Sequence, residues 1–145
     1  DAEHLPVSGE FDRVLADVPC SGTGTLARNP EIKWRLKPED LADLHARQLA
    51  IVTAVVNRLA SGGRLVYSTC SLEREENQAV VEKLLSNTSF GLRLLDCRGE
   101  LKRMQERGEL VWQDVDSITD GLFLRTLPGV HPCDGFFAAI FEKNG

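Results

Sequence analysis

Apolar residues along this chain fall into two rhythms. Phe11 to Val18 (FDRVLADV) is rich in apolar and β-branched residues and stops at Pro19, which predicts a buried strand. From Pro38 to Ala60 the rhythm becomes helical. Leu41, Leu44, Gln48, Ile51, Val52, Val55, Val56 and Leu59 fall near one face, with Gln48 the single polar member. Ser61-Gly62-Gly63 is expected to end that helix, glycine supplying a left-handed cap. Arg64 to Thr69 predicts the next strand. Ser71 is the expected N-cap of a second helix running to about Leu85, with Glu73, Glu75 and Glu76 at its positive end and Val80, Val81, Leu84 and Leu85 facing inward. Leu92 to Cys97 predicts a third strand. The charged stretch 98–120 predicts a short helix, Glu100 to Arg107, and a small strand, Leu110 to Gln113. Leu122 to Leu127 and Phe136 to Glu142 complete the extended segments. Strands alternating with helices imply an α/β fold with a largely parallel sheet. The last strand is free to run antiparallel, because its connection needs no helical crossover.

The 145 residues, 42% of them hydrophobic, suit one domain, 1–145, with a genuine core. No apolar run is long enough to span a bilayer, and the first residues lack the basic start and apolar stretch of a signal peptide. Four cysteines without a Cys-x-x-Cys pair argue against a zinc site and a disulfide scaffold. Free thiols in a cytoplasmic setting are expected, with no membrane and no metal; the three histidines are scattered. A net charge of −5 counts against a basic nucleic-acid platform. It leaves room for a catalytic domain whose grip on a polyanion comes from elsewhere in a longer protein. Arg28, Lys33, Arg35 and Lys37 form a local basic cluster, and Trp34 among them is expected to be a packing anchor.

Candidate chemistry centres on two cysteines at strand ends, Cys20 in Asp17-Val18-Pro19-Cys20-Ser21-Gly22 and Cys70 in Ser68-Thr69-Cys70-Ser71. If those strands are parallel neighbours, both thiols sit on the rim where open α/β sheets bind ligands. Two thiols there suggest covalent chemistry, one as nucleophile and the other as helper. Asp17 on an apolar strand is costly if buried without a partner, which points to a site. Cys97 reads as a small buried hydrophobe and Cys133 as incidental.

Longer stretches carry a resemblance. Residues 11–24, Arg28-Asn29-Pro30-Glu31-Ile32-Lys33-Trp34, Gln48, Gly62 to Ser71, Glu75-Glu76-Asn77, Leu124 to Pro128 and Asp134 to Ala138 are collinear with RNA (cytosine-5)-methyltransferases. That family includes the bacterial Fmu/Sun (RsmB-type) rRNA enzymes and the eukaryotic NSUN proteins. The resemblance implies a Rossmann-like class I S-adenosylmethionine-dependent methyltransferase fold, of which this chain resembles the second half. The glycine-rich cofactor turn and the acidic ribose-binding position have no counterpart in these residues, so an N-terminal part of the same catalytic domain is expected elsewhere. It further implies transfer of a methyl group from S-adenosyl-L-methionine to carbon 5 of cytosine in RNA. The RNA is 16S rRNA by analogy, with tRNA second. By resemblance Cys70 is the nucleophile and Cys20 assists release. Asp17 faces the base and the cofactor, Asp1 and Pro19 also contact the cofactor, and Arg28 and Lys33 contact substrate. DNA cytosine-5 methyltransferases share the proline-cysteine pair but have no counterpart of Cys70. A non-catalytic α/β module binding RNA or protein, or a fragment inactive alone, is the competing reading. Self-association through a bare edge of the Phe11–Val18 strand is also expected.

Overall fold

A computed structural model describes residues 9–145. Its elements in chain order are β1 (Phe11–Asp17), α1 (Ile32–Arg35), α2 (Pro38–Val56), β2 (Leu59–Thr69), α3 (Gln78–Ser86), β3 (Leu92–Leu95), α4 (Cys97–Glu106), β4 (Thr119–Asp120), β5 (Phe123–Thr126) and β6 (Phe136–Lys143). Asp1, assigned above to the cofactor, lies outside the described residues.

One mixed sheet organises the molecule. β1 and β2 pair in parallel, with Val14 opposite Leu65 and Asp17 opposite Ser68. β6 pairs antiparallel with β2 along one edge. Its other edge is shared end to end by β3 at Leu92–Leu95 and by β5 at Leu124–Thr126, both antiparallel to it. Hence β1, β2, β3 and β5 all run the same way, and β6 is the reversed strand inserted among them. Only the β1–β2 pair is parallel by direct hydrogen bonding among the described residues. A short loop from β5 returns the chain into β6, and such a return cannot place two strands parallel.

Period-two alternation decides the faces. Leu65, Tyr67 and Thr69 of β2 are buried, alongside Ala16 of β1 and Phe137, Ala139 and Phe141 of β6. Ile51, Val52, Val55 and Val56 of α2 and Val80, Val81 and Leu84 of α3 cover that face and close the core. Tyr67 and Phe137 meet edge to face with ring centroids 6.5 Å apart, and Phe123 lies 5.0 Å from Phe137. α4 lies against the opposite face, where a groove is bounded by Leu15, Val66, Ile140 and Met104.

Several expectations need correction. The long helix stops at Val56, and Leu59 is already strand, paired with Phe11. Ladder bonds to β1 use backbone groups that further helix would have consumed. Gly62 and Gly63 therefore do not cap a helix. They belong to a bulge between the Leu59 and Arg64 registers, where Gly62 has φ 71° and a Cβ on Gly63 would sit 2.8 Å from the Ala60 carbonyl oxygen. Ser71 does not cap α3, which begins at Gln78 after Asn77. The third strand ends at Leu95, because Asp96 caps α4 by accepting the Arg98 amide at 3.0 Å. Leu110 to Gln113 forms no strand. Cys97 is buried as expected and Cys133 is exposed.

Candidate active site

β1 and β2 end side by side, and their continuations carry the two thiols. The Val18 amide still donates to the Ser68 carbonyl at 3.1 Å, after which Pro19 has no N–H with which to extend the ladder. The chains then turn over the rim and bring Cys20 Sγ within 3.2 Å of Cys70 Sγ. Both are free cysteines of intermediate exposure. The parallel register thus places the sulfurs against one another.

Three loops hold them there. The Gly24 amide donates to the Cys70 carbonyl at 2.9 Å, and the Gly135 amide donates to the Gly24 carbonyl at 2.8 Å. The Leu72 amide donates to Thr23 Oγ1 at 2.9 Å. This approach needs glycine at position 24: a Cβ would lie 2.1 Å from the Gly135 oxygen and 2.8 Å from that of Cys70. Beneath the thiols is a buried polar cluster. Glu76 accepts from the Ser21 amide at 2.9 Å, from Gln48 Nε2 at 2.8 Å, and from the hydroxyls of Ser21 and Ser71. Gln48 Nε2 also donates to the Pro19 carbonyl at 2.9 Å, while its Oε1 is buried without a partner among the described residues. Tyr67 donates its hydroxyl to the Glu76 carbonyl at 2.6 Å, and Thr69 donates to Asn77 Oδ1 at 2.7 Å.

Burial pushes the Cys20 thiol up to about 12, reinforced by its hydrogen bond with Cys70 and by the neighbouring Cys70 charge. Cys20 therefore holds its proton at neutral pH, and either sulfur can be the donor of the bond between them. No helix starts at Ser71 to aim amide donors at Cys70, because the chain there enters a turn. Ser71 Oγ accepts the Glu73 amide at 3.0 Å, and α3 begins only at Gln78.

The remaining site candidates are distributed around the rim. Asp17 is exposed, not buried, and its Oδ1 accepts from Ser68 Oγ at 2.9 Å. Pro19 is exposed and lends only its carbonyl to Gln48. Arg28 is engaged with Asp134, its Nε 3.2 Å from Oδ1. Lys33 lies 5.7 Å from the Trp34 ring centre, in cation–π range. Trp34 is 84% exposed and anchors nothing, contrary to expectation, because α1 is a single turn lying outside the core. A cavity of about 310 Å³ beside Ser21 is lined by Ile32, Arg35, Leu36 and Asp40, with Lys33 outside it. Glu76, Ser21, Ser71 and Gly135 stand in the motif text but are not assigned to the site by the sequence reading. Gln48, polar on an apolar helix face, was the one signal that something polar lay beneath.

The fold is that of part of a Rossmann-like α/β domain of the methyltransferase type. The chain superposes on NSun6 from Pyrococcus horikoshii, solved with SFG, with a TM-score of 0.75 and 26% identity, covering 100% of this chain and 33% of that protein. It is 41% identical over 133 residues to the probable ribosomal RNA small subunit methyltransferase B of Synechocystis, covering 91% of this chain and 27% of that protein. It is 40% identical over 119 residues to the tRNA (cytosine(34)-C(5))-methyltransferase of Drosophila melanogaster, covering 80% of this chain and 16% of the relative. The family described as 16S rRNA methyltransferase RsmB/F matches residues 1–142, and the chain belongs to that family. It spans about a quarter of the length of the bacterial relatives it matches.

Proposed function

We propose that this chain is the C-terminal part of a catalytic domain that methylates carbon 5 of cytosine in RNA, with S-adenosyl-L-methionine as donor. The RNA favoured is 16S rRNA, following the family description, with tRNA second. The observation that carries the reading is the pair of thiols 3.2 Å apart at the ends of two parallel strands. Carbon 5 of cytosine is a weak nucleophile. Addition of the Cys70 thiolate to carbon 6 shifts electron density onto carbon 5, turning one hard step into easier ones.

The residues present suit the donor at one point. Asp17 is an exposed carboxylate on the strand rim, and only its Oδ1 is engaged, by Ser68. It offers an acceptor to the ammonium of a methionyl group or to the exocyclic amine of cytosine. Asp17 and Pro19 are the described residues that would hold the donor; the role of Asp1 rests on resemblance alone. Bound there, the donor supplies an electrophilic methyl group. SFG, an analogue of S-adenosylmethionine, accompanies the structurally similar NSun6 and supports this choice.

Cys20 serves two states in turn. While Cys70 is free, Cys20 keeps its proton and shares a hydrogen bond with the sulfur beside it. Once Cys70 is bonded to carbon 6 it carries no charge, and two of the causes that raise the Cys20 thiol are gone. Cys20, partly open to solvent, can then lose its own proton to water and, as the thiolate, take the proton from carbon 5, the electrons of that C–H bond re-forming the ring double bond and expelling Cys70 as thiolate. Arg28 and Lys33 are assigned to RNA phosphates; Arg28 must then exchange or share Asp134.

In the full-length protein, Cys70→Ala abolishes methylation and leaves no covalent RNA complex. Cys20→Ala instead accumulates a protein–RNA adduct that survives denaturing electrophoresis. Turnover by the Cys70 variant, or no trapped species from the Cys20 variant with substrate bound, contradicts the assigned roles. The same pair of gels excludes or supports a purely RNA-binding module.

A further inference from the structure

Glu76 is fully buried and, among the described residues, has no cationic partner in its hydrogen bonds. A carboxylate taken out of water at that depth is costly unless its lone pairs are satisfied. Here they are. One oxygen takes the Ser21 backbone amide and the Gln48 side-chain amide, at 2.9 and 2.8 Å. The other takes the hydroxyls of Ser21 and Ser71. Four donors meet the acceptor capacity of one carboxylate. Ser21 follows Cys20 and Ser71 follows Cys70. The two residues that grip Glu76 from either strand end are therefore the immediate neighbours of the two sulfurs. Gln48, reaching from α2, adds the Pro19 carbonyl on the other side of Cys20.

We propose that Glu76 is a positioning residue, a buried carboxylate that clamps the Cys20 loop to the Cys70 loop and so sets the separation of the sulfurs. The strands cannot do this alone, since their ladder ends at the Val18–Ser68 bond, before either cysteine. Glu76 is itself fixed from β2, because the Tyr67 hydroxyl donates to its carbonyl at 2.6 Å. Asn77 also donates to the Ser71 carbonyl at 2.9 Å. The clamp thus spans from β2 to both loops. Its catalytic consequence rests on the cytosine-5 reading above; the sulfur geometry does not.

The test uses the full-length protein and two variants. Glu76→Ala removes the bridge. Glu76→Asp keeps the charge but is about 1.5 Å shorter, one carbon–carbon bond, so it cannot reach both serines. The first readout needs no RNA. Diamide accepts two electrons and two protons as the thiols close, and the Cys20–Cys70 linked peptide is timed by mass spectrometry. Closure is expected to slow by roughly tenfold in both variants, because the sulfurs lose their enforced proximity. The second readout is turnover below the melting temperature of each variant. kcat is expected to fall by about 100-fold, the cost of a misplaced nucleophile, with KM for RNA little changed. Wild-type closure rates in both variants overturn the proposal. If Glu76→Ala does not fold, Glu76→Asp decides. If Cys70→Ala retains activity, the functional reading fails, while the closure rates still judge the clamp.

Discussion

At the scale of single residues, the site is a problem of where protons and lone pairs reside. Cys20 has an ordinary thiol value of 9.0 when exposed and about 12 in the fold. The unfolded chain therefore releases this proton first as pH rises. The stabilisation is whole below about pH 9 and is lost as pH approaches 12. Tyr67 adds to the same trend, its phenol pushed up mainly by burial. Denaturant midpoints of the 145-residue chain, measured at stepped alkaline pH, are expected to fall in the wild type and to fall less steeply in Cys20→Ala. Parallel slopes for the two proteins contradict the assignment. Asp17 shows the limit of reasoning from composition. A lone acid on an apolar strand pointed to a site because burial without a partner is costly; the residue sits where the strand meets solvent, with Ser68 as its hydrogen-bond partner.

Elements matter here chiefly by where they stop. β1 ends just before Pro19, α2 ends early enough for Leu59 to enter β2, and α3 starts late enough to leave Ser71 in a loop and Glu76 in the short 3-10 helix Arg74–Glu76. Each boundary frees a backbone or side chain for the site. The loops then pack at glycine contacts that tolerate no side chain. Gly24→Ala forces a Cβ against the Gly135 and Cys70 carbonyl oxygens, and neither belongs to a flexible side chain that could move aside. It is expected to destabilise the chain by about 1–3 kcal/mol, the usual cost of overpacking. It should also slow closure of the Cys20–Cys70 pair, because the Gly24–Cys70 bond is one of the ties between the loops. Gly62→Ala is the control. Nothing lies within 4 Å of its Cβ, so the cost is that of a positive φ alone, about 1–2 kcal/mol, with thiol closure unchanged. Chemical denaturation and the diamide assay separate the two.

For the whole molecule, the sheet is well covered on one face and incompletely on the other. Among the described residues β1 has β2 as its only neighbour, and Leu15 on its outer face is 69% exposed. An unpaired strand edge beside an exposed leucine is a template for another chain. The isolated 145-residue chain is expected to self-associate with rising concentration, and Leu15→Lys to weaken that association. Sedimentation velocity checks both, and a concentration-independent monomer of the wild type contradicts them. No described helix is long and apolar enough to cross a membrane.

The sequence by itself determined the α/β rhythm, the family, the two strand-end cysteines and the reversed freedom of the last strand. These follow from short-range patterns: period-two and period-3.6 burial, proline and glycine stops, and long motif text. Only the tertiary structure decided what those residues touch. Gln48, Glu76, Ser21 and Ser71 converge from three segments of the chain, and no local pattern encodes that meeting. Glu73, Glu75 and Glu76 look alike as a run of acids near a helix start. One of them is swallowed by the core because the strand register places Ser21 and Ser71 on either side of it. Trp34 went the other way: its hydrophobicity predicted burial, but among the described residues the single turn that carries it has no partner element to bury it against. Burial depends on which surfaces meet, and that is a property of the assembled sheet, not of neighbours in sequence.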